Sequence, residues 1–278
     1  MRLKLKKHLI VPIKYPTAKI LHITDTHLFA DEDGLLLGIN TNASFDAVIN
    51  EIKQHGEHFD LIVATGDFVQ DSSQLAYLRF AKSIKQFSAP CVWLAGNHDN
   101  CDNMRLIFKQ QNLPDNKVVL LGEKWLVIML NSQVEGKTYG QLSSQELALL
   151  TNTLAMYPDR FAMVFLHHHP IMSQCHWLDN HCLINHTEFI NLINQYPNIK
   201  GIGWGHIHQK SHHRLSHCQA FSTPSTCVQF KPLNHDFQVA NDLPGWRIID
   251  LQRAGEIETK VQHLENIIFH PDMSQSGY

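Results

Sequence analysis

The chain has 278 residues, a hydrophobic fraction of 44% and a formal net charge of -3. This length and composition allow a sizeable core within one α/β domain. The slightly acidic balance excludes an overall basic field that would draw the protein to nucleic acid or membranes, so any attraction for an anionic substrate must be local.

The amino-terminal residues give information on the cellular compartment of the protein. Residues 1–7 are basic, and the apolar stretch that follows at 9–11 is too short for the core of a signal peptide. No apolar run is long enough to span a bilayer. We interpret residues 1–16 as a basic arm or an added edge strand, and we expect a cytoplasmic protein that binds a small molecule, with no nucleic-acid or membrane partner. The six cysteines form no C-x-x-C pair, which favours reduced thiols.

Strand and helix patterns alternate through the first two thirds of the chain. Apolar, β-branched runs predict strands, and apolar residues three and four positions apart predict helices. In chain order we expect a strand at 19–24, a helix at 44–55, a strand at 60–65, a helix at 74–87, a strand at 91–95, a helix at 103–111, strands at 117–121 and 125–130, a helix at 142–156, a strand at 161–166, a helix at 187–195 and a strand at 199–204.

The pattern changes after Gly205, where only short strands are predicted. They begin near 212 and continue at 219–222, 227–230, 246–251 and 257–264. No linker, repeat or low-complexity segment interrupts the chain. We therefore predict that residues 17–278 form a single domain of the α/β (α+β) class, with strands in two packed mixed β-sheets and helices outside.

Five short polar motifs each follow a predicted strand. Ligand groups gather at the carboxyl ends of strands because several strand ends converge there. Residues i and i+2 of an extended segment project to the same side and can reach one ion. Carboxylate, imidazole and carboxamide groups in this mixture are typical of a site for two divalent metals, which can generate hydroxide at neutral pH. The motifs are Asp25-Thr-His27, Gly66-Asp67, Gly96-Asn97-His98-Asp99, His167-His168-His169 and Gly205-His206-Ile-His208.

Each motif alone has an ordinary structural explanation. A lone core histidine is more often bonded to a backbone carbonyl than to metal, and Gly-Asn-His-Asp can be a simple turn. The ordered set of five is what favours a metal centre. Within the histidine run we choose His167 as the ligand, because it directly leaves the strand, and keep His168 as the alternative.

The ordered motifs resemble those of the calcineurin-like metallophosphoesterase superfamily over nearly the whole chain. Further stretches resemble the bacterial class III 3′,5′-cyclic AMP phosphodiesterase family in particular. The resemblance implies a four-layer αββα sandwich and a metal-dependent phosphodiesterase. The further stretches are Thr24 to Phe29, His167 to Pro170 with Trp177-Leu-Asp179, Thr223 to Pro232, and Pro244-Gly-Trp246.

The same resemblance implies the ligands of both metals, with Asp67 bridging them. The expected cofactors are two divalent ions, with iron or manganese favoured and zinc or cobalt also compatible with oxygen and nitrogen ligands. One metal would be held by Asp25, His27, Asp67 and His208, and the other by Asp67, Asn97, His167 and His206. The substrate would lie against His27, Asp67, Asn97, His98 and His208.

The expected reaction is hydrolysis of 3′,5′-cyclic AMP, and of other cyclic nucleotides if the base is not selected, to the 5′-monophosphate. A hydroxide shared by the two metals would attack phosphorus in line with the departing 3′ oxygen. His98 is our candidate general acid, and Asp99 would orient its ring. The resemblance to the family supports this pairing.

Several alternatives stay open at this level. The chain could be a broader metallophosphoesterase, or a non-catalytic module in which metal stabilises a nucleotide-binding scaffold. The segment Thr223 to Pro232 could form a wall of the substrate site or simply join two strands. The oligomeric state, monomer or homodimer, and the preferred base are not fixed by any motif.

Overall fold

A computed structural model describes residues 8–265 and 269–277. The helices are α1 (Thr41–Gln54), α2 (Gln74–Ile84), α3 (Cys101–Gln110), α4 (Ser144–Met156), α5 (His176–Asp179) and α6 (His186–Asn194). The strands are β1 (Leu9–Val11), β2 (Ala18–Ile23), β3 (Leu35–Leu36), β4 (Ile39–Asn40), β5 (Leu61–Ala64), β6 (Cys91–Trp93), β7 (Val118–Leu121), β8 (Trp125–Met129), β9 (Phe161–Phe165), β10 (Ile199–Trp204), β11 (Ser211–Leu215), β12 (Cys218–Ser222), β13 (Gln229–Phe230), β14 (Val239–Ala240), β15 (Gly245–Leu251) and β16 (Ile257–His263).

Two mixed sheets form the centre of the molecule. The larger has the strand order β1-β7-β8-β9-β10-β12-β11, and the smaller has the order β16-β15-β2-β5-β6. Within the larger sheet β8, β9, β10 and β12 run parallel, and within the smaller sheet β2, β5 and β6 run parallel. The carboxyl ends of neighbouring parallel strands therefore meet at one edge of each sheet.

Three apolar clusters define four layers. One cluster fills the space between the sheets, with Val63 and Leu94 from the smaller sheet and Val127 and Phe165 from the larger. A second lies between the smaller sheet and helices α1 to α3, and a third between the larger sheet and helices α4 and α6. Because the central strands are covered on both faces, strands such as β5 and β8 read as continuous apolar runs. The predicted αββα sandwich is confirmed.

Helices α1 and α3 begin earlier than predicted because asparagine side chains cap them. The Asn40 side chain accepts a hydrogen bond from Ala43 N, so α1 begins three residues before position 44. Asn100 caps α3 in the same way through Asn103 N. Helix α4 begins at Ser144, two residues after the predicted start, because Ser143 is its N-cap and accepts from the N–H of Glu146.

The sequence patterns missed several short elements. They are α5, the β3–β4 hairpin and the strand β14, each too short to show a period. At the amino end, Leu9–Val11 pairs with β7 as the edge strand of the larger sheet, while residues 1–7 lie outside the described residues. The single domain over 17–278 stays a prediction. No helix in the described part of the chain has the length and apolar character needed to cross a membrane.

Candidate metal centre

Each predicted ligand motif lies just beyond the carboxyl end of a strand. Strand β2 ends two residues before Asp25, β5 three before Asp67, and β9 two before His167. Backbone hydrogen bonds tie these loops together, from Asp25 N to Gly66 O (3.0 Å) and from Gly205 N to His167 O (3.2 Å). The ends of both sheets therefore contribute to one site.

Five of the seven predicted ligands have a left-handed backbone. Positive φ is uncommon outside glycine, and asparagine, aspartate and histidine tolerate it best. Such strained residues cluster at functional sites, where the surroundings hold them in place. The residues and their φ angles are Asp25 (53°), His27 (43°), Asp67 (49°), His206 (68°) and His208 (47°).

Glycines before the ligands allow the loops to touch. A Cβ on Gly205 would lie 2.0 Å from Thr24 Oγ1, and one on Gly96 would lie 2.1 Å from Asp67 Oδ1. Gly66 has a φ of +94°, and its Cβ would meet Gly96 N at 2.2 Å. Since real Cβ atoms never approach so closely, these positions require glycine.

A first cluster joins Asp25, His27 and His208, whose potential ligand atoms lie within 4.8 Å of one another. His208 Nε2 is 3.5 Å from Asp25 Oδ1 and 3.1 Å from His27 Nε2. The other Asp25 oxygen, Oδ2, accepts hydrogen bonds from His206 N at 2.9 Å and from the Thr24 hydroxyl at 2.7 Å. Oδ1 is thereby turned towards the imidazoles.

Asp67 joins this cluster to a second one. Its Oδ2 atom is 3.9 Å from His27 Nε2 and 3.2 Å from His167 Nε2. His167 Nε2 is also 3.1 Å from Asn97 Oδ1 and 3.2 Å from His206 Nδ1. One carboxylate thus lies between two sets of donor atoms, as the predicted bridging role requires.

Oxygen acceptors fix the orientation of three imidazoles. The Nδ1–H groups of His27, His208 and His167 donate to Gln70 Oε1 (2.7 Å), Val228 O (2.8 Å) and Thr65 O (2.7 Å) respectively. With Nδ1 protonated, the neutral form of each ring presents its Nε2 lone pair to the site.

His206 presents the opposite nitrogen. Its Nδ1 atom faces His167, while Nε2 is buried and has no hydrogen-bond partner within residues 8–265 and 269–277. His168 also lies within 4.8 Å of His167 and His206, and its Nδ1 atom bonds to the Ser132 hydroxyl at 2.8 Å. His167 differs from His168 in facing both Asp67 and Asn97, so it stays our first choice as ligand.

Burial and charge strongly perturb these groups. Burial lowers the pKa of His27 to about 3. Burial also opposes protonation of His167, but the adjacent Asp67 carboxylate outweighs it and raises the His167 pKa to about 9. Burial opposes ionisation of Asp67, yet the neighbouring imidazoles hold its pKa well below the usual range. In the protein alone, a positive charge is favoured where His167 meets Asp67.

His98 and Asn97 are the partly exposed members of the predicted site. His98 N donates to Asp67 Oδ1 at 2.8 Å, and the His98 ring lies edge-on to His27 with centroids 4.9 Å apart. The predicted general acid therefore lies at the rim of the buried clusters, where a substrate could reach it.

Asp99 is buried, and its carboxylate holds neighbouring loops together. It accepts hydrogen bonds from Gly96 N (2.9 Å), Phe68 N (3.0 Å) and the Tyr77 hydroxyl (3.1 Å). Burial, with the charge of Asp67, raises the pKa of Asp99 to about 7. These contacts indicate that Asp99 positions the turns carrying Asp67 and Asn97; its predicted action on the His98 ring stays a prediction.

The segment from Thr223 onward joins β12 to β13 and lies buried behind the ligands. The Ser225 hydroxyl donates to Asp25 O at 2.7 Å, and the Val228 carbonyl accepts from His208. Phe230 N donates to His208 O at 3.2 Å. Of our two interpretations, the connecting loop describes residues 223–230 better, with the addition that the loop supports ligand residues.

Sequence reasoning missed the residues that orient the ligands. Gln70 follows Asp67 by three positions, and a polar residue so soon after a Gly-Asp turn was the available signal. Thr65 and Val228 act through backbone carbonyls, which leave no trace in residue type. Tyr77 lies on the buried face of α2, where its ring resembles ordinary core.

Comparison with known proteins gives consistent matches. A sequence profile described as calcineurin-like phosphoesterase matches residues 18–210. The 3′,5′-cyclic adenosine monophosphate phosphodiesterase CpdA of Haemophilus influenzae is 42% identical over 274 residues, covering 99% of this chain and 100% of that protein. The protein of the same name from Escherichia coli K12 is 44% identical over 260 residues, covering 94% of each. A 3′,5′-cyclic-nucleotide phosphodiesterase of Nostoc is 34% identical, covering 88% of this chain and 92% of that protein.

Solved structures share the fold at low identity. A dimetal phosphatase from Danio rerio has a TM-score of 0.58 at 13% identity, covering 88% of this chain and 98% of that chain. GAP50, the anchor in the inner membrane complex of Plasmodium, has a TM-score of 0.62 at 13% identity, covering 92% of this chain and 88% of that chain. An enzyme and an anchor on one fold show that architecture alone does not fix activity.

Proposed function

The chain belongs to the calcineurin-like phosphoesterase family, and on that premise we propose that it hydrolyses 3′,5′-cyclic AMP to the 5′-monophosphate. The family is dimetal-dependent. The observation that best supports this function is that two buried His/Asp clusters share Asp67 at the convergent strand ends. The chain is also 42% identical to a cyclic AMP phosphodiesterase along nearly its whole length.

The donor atoms fit a pair of divalent cations. His167 donates its Nδ1–H to Thr65 O, so a neutral ring turns a lone pair towards Asp67 Oδ2 at 3.2 Å and Asn97 Oδ1 at 3.1 Å. Three acceptors facing one another in a buried space repel unless a proton or a cation lies among them. The same logic supports Asp25, His27 and His208 as the other ligands.

We propose iron or manganese as the resident metals, with zinc or cobalt as substitutes, because the donors are nitrogen and oxygen without thiolate. When bound, such a pair supplies hydroxide at neutral pH and neutralises charge on phosphoryl oxygens. The assignments of Asp67 as bridge and of His206 as an Nδ1 ligand are part of the same proposal.

The residues of the chain have separate tasks in this reaction. His98, held at the rim by its backbone bond to Asp67, donates a proton to the departing 3′ oxygen of the ribose. The Asn97 amide, next to His167 at the site, would stabilise negative charge on the phosphoryl group. Asp99 holds Gly96 N and Phe68 N, and so keeps Asn97 and Asp67 at a fixed separation.

The test is hydrolysis by metal-stripped protein reloaded with one metal at a time. Cyclic AMP, cyclic GMP and an aryl phosphomonoester serve as parallel substrates, and chromatography identifies the nucleotide product. We expect 5′-AMP from cyclic AMP with manganese or iron. Preferred turnover of the monoester would favour a broader phosphoesterase. Binding of cyclic AMP without hydrolysis under any metal would show a nucleotide-binding module instead.

A further inference from the structure

The four-residue helix α5 is linked to both histidines of the Gly205–His208 motif, in each case through one intervening ring. The links start from two different side chains, Trp177 and Asp179. We propose that α5 is a positioning element that sets the rings of His206 and His208 independently, one through each side chain. This inference rests on the metal centre of the proposed function.

The first route leads from Trp177 to His208. The Trp177 ring packs edge-on against Phe230, with centroids 5.0 Å apart and planes at 79°. The Phe230 ring in turn stacks on the His208 imidazole at 4.3 Å and 15°. Phe237 closes the group at 5.0 Å from Trp177 and 5.5 Å from Phe230. Because Phe230 is 1% exposed, its ring cannot turn away without disturbing Trp177.

The stacking of Phe230 on His208 acts together with hydrogen bonds to His208. His208 donates Nδ1–H to Val228 O, and its own carbonyl accepts from Phe230 N. The hydrogen bond fixes the tautomer, while the Phe230 face fixes the plane of the ring. Both are needed to aim the Nε2 lone pair at one point.

The second route leads from Asp179 to His206. Asp179 Oδ1 accepts from His169 Nε2 at 3.2 Å, and the buried His169 ring stacks on His206 with centroids 5.5 Å apart and planes at 18°. Asp179 is itself held by Ser173, whose N–H and hydroxyl each donate to Oδ1 at 2.7 Å, and by Gln174 N at 3.1 Å. Three hydrogen bonds, apart from the one from His169, thus hold the Asp179 carboxylate in place.

The two routes end on ligands proposed for different metals. His208 belongs to the cluster with Asp25 and His27, and His206 to the cluster with His167. A general loss of packing at α5 would weaken both metals together. Independent positioning instead predicts that each side chain affects one metal and leaves the other unchanged.

The experiment measures Mn²⁺ binding to the metal-free full chain by equilibrium dialysis and elemental analysis. We expect Asp179→Ala to weaken one of two sites by about 10- to 100-fold, the usual effect of losing an orienting partner. Asp179→Asn, which keeps an acceptor for His169, should restore most of that affinity. Trp177→Leu, and Phe230→Leu at the next ring of that route, should weaken the other site by a similar factor. The exposed neighbour His176→Ala is the matched control on the same helix and should change neither.

Variants that lack one proposed ligand show which metal site each route affects. In His206→Ala, the remaining site should be weakened by Phe230→Leu and unaffected by Asp179→Ala. In His208→Ala, the pattern should reverse. Such a cycle separates a specific coupling from general destabilisation. Circular dichroism establishes that each variant is folded.

Equal weakening of both sites by Asp179→Ala or by Trp177→Leu, or no weakening by either variant, would overturn the inference. Failure of the wild-type chain to bind two Mn²⁺ would instead contradict the proposed metal centre. If Phe230→Leu is not recovered folded, Trp177→Leu and the Asp179 variants decide the question, since the Asp179 side chain is 19% exposed and Asp179→Asn keeps its acceptor oxygen.

Discussion

The Nε2 atoms of His27 and His208 lie 3.1 Å apart, and the Nδ1 atom of each ring donates to an oxygen, Gln70 Oε1 for His27 and Val228 O for His208. With those protons on Nδ1, two lone pairs meet in a buried space. A shared cation relieves that repulsion. Of the two acceptors, only Gln70 acts through its side chain, so mutation can remove it.

Replacing Gln70 therefore tests the orientation of His27. Gln70→Leu keeps the size of the side chain but removes the acceptor, which frees the ring to flip. We expect Mn²⁺ affinity at one site to fall by about 10- to 100-fold, measured by dialysis and elemental analysis. Gln74→Leu, on the exposed start of α2, is the matched control. An unchanged Mn²⁺ titration for Gln70→Leu would show that His27 does not depend on Gln70.

Loss of Asp67 should weaken the binding of both metals, because its Oδ2 atom lies between His27 and His167. We expect Asp67→Ala to retain fewer than two metals per chain by elemental analysis, with loss of cyclic AMP hydrolysis. The exposed Asp159→Ala should keep the wild-type metal content. Two tightly bound metals in Asp67→Ala would rule out the bridging assignment.

His98→Ala should separate catalysis from metal binding. The His98 side chain is partly exposed at the rim, so both metals should remain while turnover of cyclic AMP falls by about 10²–10⁴-fold, the usual contribution of a general acid. The measurement is kcat alongside metal content, with exposed His212→Ala as the control. Near-normal turnover by a fully loaded variant would remove His98 from the mechanism.

The Tyr77 hydroxyl should matter for stability through Asp99. It donates to Asp99 Oδ1 at 3.1 Å and accepts from Asn100 N at 2.8 Å. Tyr77→Phe leaves these buried groups short of a partner, which costs about 1–3 kcal/mol. Chemical denaturation should show this loss, and Tyr15→Phe, at a ring 52% exposed, should show none. Equal stability of the two variants would contradict the proposed support of the metal loops.

His22 should make stability depend on pH. Its nitrogens lie 2.6 Å from the Thr223 hydroxyl and 2.8 Å from the Thr65 hydroxyl, and burial, with the charge of Arg247, lowers its pKa from 6.5 to about 3. Between these values the unfolded chain binds a proton that the folded chain does not, so stability falls as the pH falls from 6.5 towards 3.

The effect can be isolated by comparing wild type with His22→Gln. Between about pH 7.5 and 5.5, unfolding of the wild type should lose about 1.4 kcal/mol more than unfolding of the variant, measured with urea. His235→Gln, at a side chain 73% exposed, should follow the wild type. Parallel pH profiles for wild type and His22→Gln would show that His22 takes up its proton in the folded state.

The sequence reveals those parts of the site that depend on residue type. Asp25 and His206 could be identified because each follows an apolar strand, and the end of a strand has a clear signal. Contacts made by backbone atoms, such as Thr65 O with His167, carry no such signal. The helix α5 was missed because four residues cannot display a helical period, although two of its residues contact the surroundings of the site.

The left-handed backbone at Asp25, His27, Asp67, His206 and His208 limits which amino acids could ever occupy those positions. Aspartate and histidine are among the few residues other than glycine that accept this conformation readily, and they are also good ligands for hard and borderline cations. A redesign towards thiolate or longer carboxylate donors would therefore meet resistance from the main chain before any question of metal preference arose. The backbone conformation at these five positions therefore limits which metal ions the site can bind.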